Sequence, residues 1–125
     1  MRLTKAEWYL MNALWQKHPA TAREIQAHLP PATKWAYTTI KTMLTRLAAK
    51  GAVSEEKSGG AAVYAPLLSR RKARLAALRS VAEEVFDGSV GMLVHFLVEE
   101  EKLSPRERAE LTKLLGEESR KGGKR

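Results

Sequence analysis

Three helical segments, an alternating stretch around Gly59-Gly60 and three further helical segments follow one another along these 125 residues. That order predicts a mainly α chain: a winged helix-turn-helix, with three helices and a two-stranded wing, followed by a three-helix lobe. Thr4-Lys5-Ala6-Glu7 is a capping box, in which Thr accepts from the third helical N–H and Glu reaches back to the cap. Leu10, Met11, Leu14 and Trp15 then recur at helical spacing, with Trp8 one turn before Met11, so the first helix spans roughly Lys5 to Lys17. Thr21-Ala22-Arg23-Glu24 repeats the capping box and opens a short helix through Ile25 to Leu29, ended by Pro30-Pro31. The third helix begins near Ala36 or Tyr37 and stops at Lys50-Gly51, where Gly supplies a left-handed cap. Val53 and Glu55, then Ser58-Gly59-Gly60, then Ala62, Val63 and Tyr64 before Pro66 make a hairpin.

The second half is helical by pattern. A fourth helix begins around Ser69 and carries Leu75, Leu78, Val81, Ala82, Val85 and Phe86; Gly88 and Gly91 interrupt it. A short helix follows with Val90, Leu93, Val94, Leu97 and Val98. Ser104-Pro105-Arg106-Glu107 opens the last one, with Pro at the first helical position and Leu111, Leu114 and Leu115 along its apolar edge. The expected division is 1–68 for the winged helix, 69–118 for the helical lobe and 119–125 for a basic, flexible tail. Three short helices with apolar faces this wide do not cover one another alone, and a second copy of the chain is the expected cover. Leu75, Leu78, Val85, Leu93, Val94, Leu97, Leu111, Leu114 and Leu115 are the candidates for that dimer contact.

Composition narrows the function classes. The chain is 44% hydrophobic and 29% charged with a formal net charge of +8, the balance of a folded protein whose partner is densely negative. The absence of cysteine removes disulfides, thiolate zinc sites and thiol redox chemistry. No apolar run is long enough to cross a bilayer and no secretory signal is visible, so a cytoplasmic location is expected. His18, His28 and His95 are scattered. His95 and Glu99 share a helix face, but two ligands make a poor metal site, and no metal or other cofactor is expected. No catalytic constellation or phosphate-cradling Gly-rich loop is present, so neither an enzyme nor a small-molecule substrate is expected.

The charge has a location. From Gln26 to Ser54 there is no Asp or Glu, and the third helix lies inside that run. At about 100° per residue, Ile40, Met43, Leu44, Leu47 and Ala48 share one face, while Thr38, Thr42, Thr45 and Ala49 point the opposite way. Lys41 lies on one flank of the outer stripe, and Thr39, Arg46 and Lys50 on the other. Four threonines in one helix cost roughly 0.5 kcal/mol each relative to alanine, and a merely solvated face normally uses Glu and Lys. Short hydroxyl and methyl side chains instead let a helix approach phosphates and thymine methyls. The candidate DNA contacts are therefore Lys41, Thr42, Thr45 and Arg46, with Thr38 and Thr39 near the free N–H groups of the helix start, and Lys34 and Lys57 adding phosphate contacts from the turn and the wing. Trp8 and Trp15 fit the core; Trp35 is open between core and surface, and Tyr37 between DNA contact and packing.

The runs Leu3 to Trp15, Trp35 to Leu47 and Tyr64-Ala65-Pro66-Leu67 resemble the BlaI/MecI (penicillinase repressor) family, from Leu3 to about Glu117. The resemblance implies a bacterial homodimeric repressor with an N-terminal winged helix and a C-terminal dimerisation lobe, bound to an inverted-repeat operator in double-stranded DNA. In induced members a membrane-bound sensor with a metalloprotease domain leads to cleavage at an Asn-Phe bond. The matching position here is His95-Phe96, a departure from that dipeptide. Copper-responsive members carry a C-terminal cysteine motif that this chain lacks. Two other expectations stand beside the repressor: a non-specific nucleic-acid-binding structural protein, and a ligand-responsive winged-helix regulator of another family.

Overall fold

A computed structural model describes residues 1–101 and 103–122; among these, side-chain surroundings are described outside 114–122. In chain order the elements are α1 (Lys5–Gln16), β1 (Ala20–Thr21), α2 (Ala22–His28), a 3-10 turn (Pro31–Thr33), α3 (Tyr37–Lys50), β2 (Val53–Ser58), β3 (Ala61–Pro66), α4 (Arg70–Val85), α5 (Val90–Glu100) and α6 (Pro105–Gly122). The chain divides into two compact units between Ala73 and Arg74, inside α4. The expected boundary after residue 68 lies at the start of that helix. Ala73 is buried in the first unit's core, which carries the division one turn into α4.

Both N-terminal capping boxes form. Glu7 N donates to Thr4 Oγ1 at 3.2 Å while Thr4 N donates to Glu7 Oε1 at 2.8 Å, and Thr21 and Glu24 repeat the arrangement at the same distances. The first two helices end at Gln16 and His28, each one residue earlier than expected, with Lys17 and Leu29 as extended C-caps. The third ends as expected at Lys50, where Gly51 takes φ +82°, a conformation an L side chain adopts only with strain.

The wing is larger than a two-stranded hairpin. Its sheet has three antiparallel strands in the order β1-β3-β2. Within the hairpin Val53 pairs with Pro66 and Ser58 with Ala61, around Gly59-Gly60 at φ +59° and +84°; positive φ at both central residues suits a tight turn between twisted strands. The added strand is only Ala20 and Thr21, opposite Tyr64 and Val63, too short for an alternating signal. It ties the start of α2 to the wing.

Leu10, Met11 and Leu14 of α1, Ile25 of α2, Ile40, Leu44 and Leu47 of α3, Val53 and Tyr64 form the fully buried centre of the first unit. Trp8 and Trp15 meet edge to face with centroids 5.8 Å apart, and Trp15 Nε1 donates to the Leu68 carbonyl at 2.9 Å, so both are packing residues. Trp35 meets Tyr9 in the same manner at 5.8 Å, and it too packs on this unit.

Ser69 of the first unit and Ser89 and Ser104 of the second each accept the backbone N–H three residues on, capping α4, α5 and α6. Gly88 is the break, at φ +82°, whereas Gly91 lies inside α5. Leu93, Leu75 and Ala82 are buried, and Phe86 packs on Phe96 with centroids 5.6 Å apart. Helix α6 continues through Ser119 to Gly122, past the point where composition placed the start of a flexible tail. Residues 123–125 and the side chains of Leu114 and Leu115 lie outside the described residues.

A candidate DNA interface

Packing sets which face of α3 is free. Ile40, Leu44 and Leu47 have no exposed surface, and Met43 is buried with them. The helical repeat therefore turns Thr38, Thr39, Thr42, Thr45 and Arg46 outward, and all five are exposed. Lys41 is half-buried on the flank. Six of the eight expected contact residues thus lie on one helix, on its free side. Lys57 stands exposed on β2, and Lys34 is exposed in the turn before α3, at φ +48°. For a non-glycine residue that left-handed conformation is uncommon, and such backbones concentrate at functional segments.

Two hydroxyls on the free face have their protons committed. Thr42 Oγ1 donates to the Thr38 carbonyl and Thr45 Oγ1 to the Lys41 carbonyl, each at 3.0 Å. These groups therefore present acceptor lone pairs and methyls outward rather than donors. The start of α3 is also distinctive in this chain: its N-cap is Ala36, with no side-chain hydrogen bond. The first-turn N–H groups of α3 remain available to an anion, and no acid occupies that turn.

Lys50 does not belong to this face. Its Nζ donates to Glu7 Oε1 at 2.7 Å, and the Glu7 side chain is nearly inaccessible. Burial pushes the Glu7 carboxyl up, but the Lys50 ammonium and the Thr4 backbone N–H outweigh it and hold the group below the ordinary carboxylate range. The sequence pattern placed Lys50 on the outer flank because α3's periodicity carries no information about an acid forty-three residues earlier.

A second unforeseen feature lies where α2, α3 and the wing meet. Thr21, Arg23, Tyr37, Lys41, Glu55, Lys57 and the Gly60–Ala62 strand start line a cleft of about 410 Å³. The Arg23 guanidinium sits 4.5 Å from the centre of the Tyr37 ring. Arg23 was missed because it precedes the acid-free run and stands beside Glu24; its one sequence signal is that Ala22 and Ile25 take the buried side of α2. Among the described residues Arg23, Lys41, Arg46 and Lys57 form no ion pair.

The second unit presents an apolar surface instead. Val85, Met92 and Phe96 are 67%, 55% and 50% exposed, and Val81, one turn before Val85 on α4, is exposed too. Phe86, Met92, His95 and Phe96 line a cavity of about 640 Å³ there. Of the residues expected at a dimer contact, Leu75 and Leu93 are buried within the single chain, Leu78, Val94, Leu97 and Leu111 are half-buried, and Val85 is exposed. Met92 and Val81 were not among those expected. His95 and Phe96 are both exposed in the middle of α5, so the bond between them is held in helix; cleavage there requires local unwinding. No described helix is long and apolar enough to cross a membrane, and no group of three or more metal-binding side chains occurs among the described residues.

The model of the penicillinase repressor family matches residues 3–117. The methicillin resistance regulatory protein MecI of Staphylococcus aureus (strain N315) is 31% identical over 113 residues, covering 90% of this chain and 92% of that protein. The penicillinase repressor of Bacillus licheniformis is 28% identical over 116 residues, covering 93% and 91%. A solved CopR repressor is 36% identical, covering 55% of this chain and all of that one, with a TM-score of 0.47. These relatives are regulators and repressors rather than enzymes. From the family match and the extent of the MecI alignment, the chain belongs to the penicillinase repressor family.

Proposed function

We propose that the chain is a cytoplasmic transcriptional repressor that binds an inverted-repeat operator as a homodimer, with α3 in the major groove and the wing on the flanking backbone. The observation that carries this reading is the free face of α3: five exposed Thr and Arg side chains and no acid, on a helix whose opposite side is fully buried. A face so placed is rigid and uncompensated in charge, which suits direct readout beside phosphate contact. A homodimer places two such helices on successive half-sites, and the exposed Val85, Met92 and Phe96 supply an apolar surface for the pairing.

Fluorescence-anisotropy titration of operator DNA tests it. Arg46→Ala or Lys41→Ala is expected to weaken binding by about 1–3 kcal/mol with the helical circular dichroism unchanged; wild-type affinity in both removes α3 from the interface. Competition with unrelated duplex separates repressor from non-specific nucleic-acid binder. The back-bonded Thr42 and Thr45 hydroxyls favour the first, because fixed acceptors discriminate between base edges.

A further inference from the structure

We propose that Arg23, stacked on Tyr37 and flanked by Lys41 and Lys57, is a preformed clamp for a single backbone phosphate of duplex DNA. It positions the protein without reading sequence. The inference rests on the DNA-binding role above and assigns to that interface a residue outside α3 and the wing.

Three cations from three separate elements converge on one cleft: Arg23 from α2, Lys41 from α3 and Lys57 from β2. One carboxylate, Glu55, also lines it, so the cleft keeps an excess of positive charge. None of the three cations has an ion-pair partner among the described residues. Left unneutralised side by side they repel one another, which an arriving anion relieves. The Tyr37 ring holds the guanidinium in place by a cation–π contact, and among the described residues none accepts from its N–H donors, whose planar fork matches two oxygens of one phosphate. The ring is itself fixed: Tyr37 opens α3 and packs against the core of the first unit. At about 410 Å³ the cleft has room for roughly a dozen waters, enough for a phosphate with part of its hydration.

Continuity with the free face of α3 identifies the occupant as the duplex backbone. Lys41 lines the cleft and is one residue from Thr42 on the outward stripe. A phosphate held there lies next to whatever α3 reads. Short β1 contributes by pinning Thr21, the cap of α2, to Val63 of β3, so the arm bearing Arg23 and the wing bearing Lys57 keep a constant spacing.

The test compares wild type, Arg23→Ala and Arg23→Lys on operator and on unrelated duplex across a salt series. Arg23 is exposed, so the fold persists, and circular dichroism checks that it does. For Arg23→Ala the affinity for both duplexes is expected to fall by the same factor, on the order of ten to a hundred for a dimer at about 0.1 M salt, and the slope of log K against log salt to drop by about 0.9 per protomer. Arg23→Lys is expected to recover the slope but only part of the affinity, because an ammonium carries the charge without the planar fork. A wild-type slope in Arg23→Ala, a loss confined to operator, or full affinity in Arg23→Lys overturns the clamp while leaving the repressor reading intact. A wild-type protein that binds neither duplex overturns both.

Discussion

Glu7 joins two helices with one carboxylate. It completes the cap of α1 through Thr4 and takes the Lys50 ammonium at the end of α3, in a place where its side chain meets almost no water. Removing the charge leaves Lys50 to turn toward solvent, to which about a third of its side chain is already open, and this limits the loss. Glu7→Gln is expected to destabilise the first unit by roughly 1–2 kcal/mol, measured by urea unfolding. Acid has the same effect on the wild type. The folded-state pKa lies below the unfolded one, so the stabilisation is complete above the ordinary carboxylate range and is lost as pH falls through it towards the depressed value. Glu7→Gln is expected to flatten that part of the stability–pH curve, and an unchanged curve means that the acid response arises elsewhere. The capping half of this arrangement was legible in the sequence, because a capping box is four residues long. The Lys50 half was not, because it joins residues that only the fold brings together.

Helix α3 is built against its own stability. Thr38, Thr39, Thr42 and Thr45 occupy an exposed helical face where alanine is preferred by about 0.5 kcal/mol per position, and the helix start has no side-chain cap. The other five α-helices are capped by Thr4, Thr21, Ser69, Ser89 and Ser104. The proposed role of α3 accounts for this imbalance, since the acceptors and methyls of Thr42 and Thr45 then face the DNA. The double variant Thr42→Ala, Thr45→Ala therefore has opposed outcomes: a gain of roughly 1 kcal/mol in thermal unfolding together with weaker operator binding. A gain in stability with unchanged affinity argues that the threonines do not touch DNA. The inner face of α3 and both its ends could be read from periodicity and Gly51. The direction of the hydroxyl protons could not, because that depends on the side-chain torsions within the formed helix.

For the whole molecule, the proposed assembly rests on the second unit. Val85, Met92 and Phe96 are large apolar side chains left half or more exposed, and such groups invite a partner. In the proposed dimer they are covered by the second copy. Phe96→Glu is expected to shift the protein from dimer to monomer in sedimentation velocity and to reduce operator affinity with it, because each half-site is then bound alone. A wild-type protein that sediments as a monomer at micromolar concentration sinks the two-fold arrangement. Apolar helical spacing nominates this unit for pairing but puts residues with two different roles in one group. Leu75 and Leu93 are covered by their own chain, whereas Met92 and Val81, absent from the expected set, are open. Helical spacing marks which residues share an apolar face; it does not distinguish a face covered from within from one left bare.

The order of elements, the caps, the acid-free third helix and the wing hairpin were all determined by the sequence itself, because each depends on residues within one or two turns of each other. Family membership followed for the same reason, since its motifs are contiguous runs. Tertiary structure alone decided that β1 joins the wing, that Lys50 turns inward to Glu7, and that Arg23 meets Tyr37, Lys41 and Lys57 around one cleft. Each of those brings together residues far apart in the chain or on different elements, a proximity that local periodicity does not encode.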